Sequence, residues 1–152
     1  MGFGRLVFYS FLVLLAGFLQ HSPVFSVFGV RPDFVLVLLL TLSFVIDKFP
    51  AYLWLVVLGL FCLKFQSGFD GSLLGIGLFS VAAFWLGREM PSLWILNNTI
   101  LVSAATLVSY LLAKPSFILS NWLVVVAEIL YNLIIGSLMF LAFSANERRS
   151  KF

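Results

Sequence analysis

Six apolar runs, each ending at a charge, a proline or a basic segment, constrain this chain more than any other feature. They occupy residues 3–19, 34–46, 51–63, 72–86, 93–113 and 121–143. Asp47-Lys48 and Pro50 follow the second run, Lys64 the third, Arg88-Glu89 and Pro91 the fourth, and Lys114-Pro115 the fifth. Long hydrocarbon stretches with charge confined to the gaps read as helices that cross a bilayer. Composition agrees. The chain is 62% hydrophobic and 10% charged, whereas a soluble domain carries about a quarter charged residues. A water-soluble fold of this size could not hide so much apolar surface. The expected fold is therefore all-α, a polytopic membrane bundle of six transmembrane helices. It forms a single domain over 1–152, with 144–152 as a short basic cytoplasmic tail. Runs two, three and four fall short of the roughly 20 residues a span needs. They are expected to insert thinly, to borrow flanking residues or to thin the bilayer.

Charge placement orients such a bundle. With an even number of spans both termini share one side. Placing them inside collects Arg5, Lys48, Arg88, Arg148, Arg149 and Lys151 there, against Arg31, Lys64 and Lys114 outside. That bias predicts cytoplasmic termini. Trp54, Trp85, Trp94 and Trp122 fall near run ends, where indoles favour the membrane interface. The net charge of +3 is dispersed and no basic patch for nucleic acid emerges. The first run resembles a signal peptide, but Gln20-His21-Ser22-Pro23 follows it rather than a small-residue cleavage site, so it reads as a retained span.

Reactive side chains are few. Cys62 is the single cysteine and His21 the single histidine, which leaves no disulfide framework, no zinc spacing and no histidine-based triad to assemble. No cofactor is implied, and the reading is non-enzymatic. The sequon Asn97-Asn98-Thr99 lies at a run end assigned to the inner side, where it would be silent.

Three features invite closer reading. Glu128 lies within the sixth run. Carboxylates at such depth are costly and face a bundle interior or a partner. Asn121, Val125, Glu128, Asn132 and Gly136 recur at helical spacing and share a face. Thr99, Ser103, Thr106 and Tyr110 form a matching stripe on the fifth run, so the two stripes are expected to face each other or a common cavity. Interhelical hydrogen bonding of about 0.6–2 kcal/mol per contact, a partner or lipid contact, and a ligand or proton site are all open for Glu128. In the second feature, Phe65 to Gly77, Gly71 and Gly75 form a GxxxG step that allows close backbone approach. There Asp70 is placed to cap the fourth helix. The third is Gly29 to Leu40. Pro32 suits a first helical turn, Asp33 lies in that turn at the positive dipole end, and Arg31 can snorkel to headgroups or pair with a carboxylate. This reads as a helix start at the interface.

Three passages, "FGVRPDFVLVLLL", "GLFCLKFQSGFDGSLLGIGLFSVAAFWLG" and "AEILYNLIIGSLMFLAFSANERR", together resemble the MreD family of bacterial rod-shape-determining proteins. In the first, Arg31-Pro32-Asp33 opens the second span. In the second, an acidic residue and a small-residue turn precede Leu-Gly and an apolar helix. In the third, Glu128, Tyr131 and Asn132 precede a basic tail. The order, spacing and length cover nearly the whole chain. The chain departs from the family at Gly136-Ser137, where a proline is frequent, and at Asp70, which sits closer to the glycines. The resemblance implies a non-enzymatic subunit of the cell-elongation (rod) complex in the bacterial cytoplasmic membrane. It would support lateral peptidoglycan synthesis with MreC as nearest partner, and with MreB and the RodA–transpeptidase synthase in the same complex. It further implies a fold like the substrate-binding component of energy-coupling-factor transporters. Membership of that transporter class, binding a vitamin or a metal, is the alternative. Its members often carry Ala-x-x-x-Ala pairs on the first helix, where this chain has only Ala16-Gly17.

Overall fold

A computed structural model describes residues 2–26, 29–64, 71–89, 94–113 and 115–149. Every regular element among them is helical. The order is α1 (Phe3–His21), a 3-10 turn (Pro23–Phe25), α2 (Phe34–Val45), α3 (Phe49–Lys64), α4 (Gly71–Glu89), α5 (Trp94–Ala113), α6 (Pro115–Ser120) and α7 (Trp122–Arg149). Each apolar run becomes one helix. Two short elements were not expected. The 3-10 turn is capped by the Ser22 hydroxyl, which accepts from Val24 N–H at 3.4 Å, and α6 starts on Pro115, whose missing N–H costs nothing at a first helical position. The last helix continues through Arg149, so the tail expected from residue 144 is helical over its described part.

Side-chain pairings fix the helix directions. Gly17 and Val13 of α1 meet Cys62 and Gly59 of α3 in step, so these two run parallel. Gln20 and Gly17 meet Val35 while Val13 shares the Gly59 contact with Leu39, which sets α2 antiparallel to α1. Phe44 and Ile46 of α2 meet Gly87 and Arg88 of α4 in step, so α4 runs parallel to α2. Asp33 and Val37 of α2 meet Asn132 and Gly136 of α7 in step, so these also run parallel. Thr106 and Tyr110 of α5 meet Asn132 and Glu128 in reverse order. Direction therefore alternates through α1 to α5 and on to α7. Tyr9 packs edge-on against Phe143 at 6.0 Å, which puts the start of α1 and the later part of α7 at one end of the bundle. That end is the terminal end below, and the opposite one the distal end.

The centre is α2. It packs against α1, α3, α4, α5 and α7, and residues 34–43 are all buried. Its sequence, FVLVLLLTLSFV, is apolar on every side, as a helix surrounded by helices requires. The Tyr52 hydroxyl of α3 reaches the Leu39 carbonyl of α2 at 3.1 Å and the Ser80 carbonyl of α4 at 3.0 Å, tying three helices at mid-depth. At 12 residues α2 is about 18 Å long, against a hydrocarbon core of about 30 Å. Its shortness needs no thinned bilayer, because α2 is covered by protein rather than lipid. Just past its C-terminus the carbonyls of the cap Ile46 and of Asp47 accept from Arg88 of α4, the first at 3.5 Å, with the guanidinium 4.0 Å from the Phe84 ring.

The exterior is apolar. Phe3, Phe11 and Phe18 on α1, Trp54 and Phe61 on α3, and Leu123, Leu130, Ile134 and Leu138 on α7 all point outward. Three helical segments, Phe3–His21, Ile95–Leu112 and Trp122–Phe143, are long and apolar enough to cross a membrane. An apolar outside around a core that contains buried polar groups is compatible with a bilayer as the solvent.

Candidate functional site: a polar junction at the start of α2

The N-terminus of α2 lies inside the bundle, and this creates a local problem. The first N–H groups of a helix lack partners within it, and side chains from neighbouring helices meet them here. Gly29 turns the chain inward with φ +82°, a conformation that favours glycine. Val30 and Pro32 are buried and Arg31 is exposed. Asp33 is then the N-cap, its Oδ1 accepting from Leu36 N–H at 3.0 Å. Val35 N–H donates to Gln20 Oε1 of α1 at 3.1 Å. The backbone N–H of Asp33 donates to Asn132 Oδ1 of α7 at 2.8 Å. Pro32 contributes no N–H at all.

Asn132 is the hinge pin of this junction. It is fully buried. Its carbonyl oxygen serves α2, while its amide donates to Thr106 Oγ1 of α5 at 3.1 Å. Thr106 in turn donates to the Val102 carbonyl at 2.9 Å. One turn towards the distal end, the Tyr110 hydroxyl of α5 donates to Glu128 of α7. Phe117 of α6 stacks on the Tyr110 ring at 5.7 Å and 4°. Glu128 is half-buried. Four long helices and α6 thus converge on one polar cluster.

The stripes read from the sequence meet in part. Thr106 and Tyr110 bond across to Asn132 and Glu128, but Thr99 and Ser103 donate to their own helix, to Ile95 and Thr99, each at 2.9 Å. Asn121 is off the packed face. It is exposed at the elbow between α6 and α7, where its amide donates to Ser120 Oγ at 2.9 Å. Tyr131 is half-buried, and no hydrogen bond joins it to the junction among the described residues.

The Arg31-Pro32-Asp33 reading needs two corrections. Asp33 is the N-cap rather than a first-turn residue. Pro32 precedes that cap rather than standing in the first turn, and the helix starts beside Asn132, roughly 15 Å along α7. The Gly71/Gly75 step is used inside the molecule. A Cβ on Gly71 would come within 2.8 Å of the Leu112 carbonyl oxygen, and one on Gly75 within 2.7 Å of Leu112 Cδ1. Asp70 lies outside the described residues.

Two contributors escaped the sequence reading. Gln20 was only the end of an apolar run, though an amide closing such a run signals a buried partner. Asn98 was read as part of a silent sequon at a run end. It is buried in α5, and its amide donates to the Gly136 carbonyl at 3.3 Å.

Comparison with protein-family models, with curated proteins and with solved structures gives no significant match to this chain.

Proposed function

We propose that this chain is a non-enzymatic membrane scaffold of the MreD type. It is a six-span subunit of the rod complex in the bacterial cytoplasmic membrane, partnered by MreC and, in the same assembly, by MreB and the RodA–transpeptidase synthase. One observation carries the reading: the polar side chains of the junction are spent on one another and on the backbone. Asn132, Gln20 and Asp33 fasten α1, α2, α5 and α7 together, which suits a rigid body that presents its exterior to neighbours. The alternation of the long helices supports six crossings in a plan like that of the energy-coupling-factor substrate-binding component. Lys48 and Arg88 flank the end where α1 begins, and the basic residues of the chain's end follow α7, which supports cytoplasmic termini.

The test is capture and loss of function. Chain tagged at its C-terminus and solubilised from its own membranes should recover MreC, and depletion should round the cells while vitamin and metal uptake stay intact. Glu128→Leu should lower MreC recovery more than it lowers the amount of chain in the membrane. Retained rod shape with lost saturable vitamin or metal uptake would overturn the scaffold reading in favour of the transporter subunit.

A further inference from the structure

We propose that the turn between α2 and α3, together with the end of α4, binds the headgroup of a zwitterionic phospholipid with a primary ammonium, phosphatidylethanolamine. The inference rests on the membrane reading above and not on the partners named there. It starts from Arg88, in the last turn of α4. Its guanidinium lies 4.0 Å from the Phe84 ring, and Phe84, fully buried, stacks on Tyr52 at 5.0 Å and 22°. Tyr52 is itself tied to the Leu39 and Ser80 carbonyls. One guanidinium nitrogen, Nη2, serves both the Ile46 and the Asp47 carbonyls. The Nε and Nη1 N–H groups have no acceptor among the described residues, and the residue is exposed. The cation is therefore held in one orientation with donors to spare.

Arg88 gathers charge of both signs onto one patch. Asp47 and Lys48 stand on the α2–α3 turn, Arg88 and Glu89 at the end of α4, and all of them are exposed. Because Arg88 binds backbone carbonyls, the Asp47 carboxylate is left over. No ion pair joins any of these side chains among the described residues. Two cations and two carboxylates sum to zero, so the patch offers no net attraction to an anionic headgroup or to a lone cation. It matches a ligand that carries both signs a few bonds apart. The phosphate takes the Arg88 N–H groups and Lys48 in charge-assisted hydrogen bonds. The ammonium, with its three N–H donors, takes Asp47 and Glu89. A choline headgroup has the charge but no N–H to donate. The depth fits as well. Exposed Trp85 lies beside the patch, its ring 5.6 Å from that of Phe49, and indoles sit at headgroup level.

The test places the full chain in nanodiscs of equal parts phosphatidylethanolamine, phosphatidylglycerol and phosphatidylcholine. Native mass spectrometry then counts the lipids that stay bound after release. Phosphatidylethanolamine should be retained about tenfold over either of the others. The side chains of Asp47, Lys48 and Glu89 bond to nothing among the described residues, so substituting them leaves the fold in place. Asp47→Asn with Glu89→Gln should abolish the preference over phosphatidylcholine and, by leaving two cations unopposed, raise retention of phosphatidylglycerol. Lys48→Gln should lower retention of phosphatidylethanolamine. Equal retention of the three lipids by the wild type, or a preference that persists in the doubly substituted chain, would overturn the site. A chain that kept no lipid would overturn the membrane reading with it.

Discussion

Helices α2 and α7 are both strongly apolar, yet they obey different rules. α7 runs from Trp122 to Arg149 with one face inward, through Val125, Asn132, Gly136 and Phe140, and the other outward, through Leu123, Leu130, Ile134 and Leu138. Its segment Trp122–Phe143 is long and apolar enough to cross a membrane. α2 is less than half as long and has no outward face. Its length is set by protein: Asn132, Gln20 and Asp33 close one end, and Arg88 the other. Hydrophobic matching therefore constrains the enclosing helices, while the enclosed one needs partners for its terminal N–H and C=O groups. In a bilayer, unmet backbone groups are costly, so these few side chains decide where α2 can stop.

The contrast can be broken by substitutions in pairs. Leu39→Ala in α2 removes a fully buried side chain and should cost about 2–5 kcal/mol. Leu130→Ala on the outer face of α7 should cost under about 0.5 kcal/mol. Reversible unfolding in mixed micelles measures both, and equal losses would break the distinction between an enclosed and an enclosing helix. Asn132→Leu strands the Asp33 N–H and should cost roughly 1–3 kcal/mol, whereas Asn121→Leu at the exposed elbow should be near neutral. A similar loss at both would mean that the α2 start does not rely on α7. A finer comparison concerns α4 against α5. Gly71→Ala drives a methyl at a backbone oxygen and should cost about 1–3 kcal/mol. Gly75→Ala meets only the flexible end of Leu112 and should cost less. The reverse order in the same assay would show that α5, not the Leu112 side chain, gives way.

Much of this plan was legible in the sequence. Each of the six apolar runs is a helix, because runs bounded by charge and proline leave little freedom in where a helix starts. The i, i+4 spacing of Glu128 with Asn132, and of Thr106 with Tyr110, was enough to set the two helices face to face. The enclosure of α2 was not legible. An all-apolar stretch looks the same whether protein or lipid surrounds it, and only its shortness hinted at the difference. Nor could the sequence pair Asp33 with Asn132, since the contact joins a backbone N–H to a side chain 99 positions away. Gln20 and the buried Asn98 lacked a periodic partner to mark them. The glycine step was found, but whether it served a neighbour or the chain's own Leu112 depended on tertiary packing.

The central place of α2 requires that protein sheathe it. Carbene footprinting with an apolar photoactivatable reagent dissolved in the bilayer, read residue by residue on the unmodified chain, tests that directly. Label should accumulate on Phe11 and Phe18 of α1 and on Leu130, Ile134 and Leu138 of α7, and should be at background across residues 34–43. Labelling of residues 34–43 to the level of α7 would contradict the central place given to α2 and, with it, the junction built on its first turn.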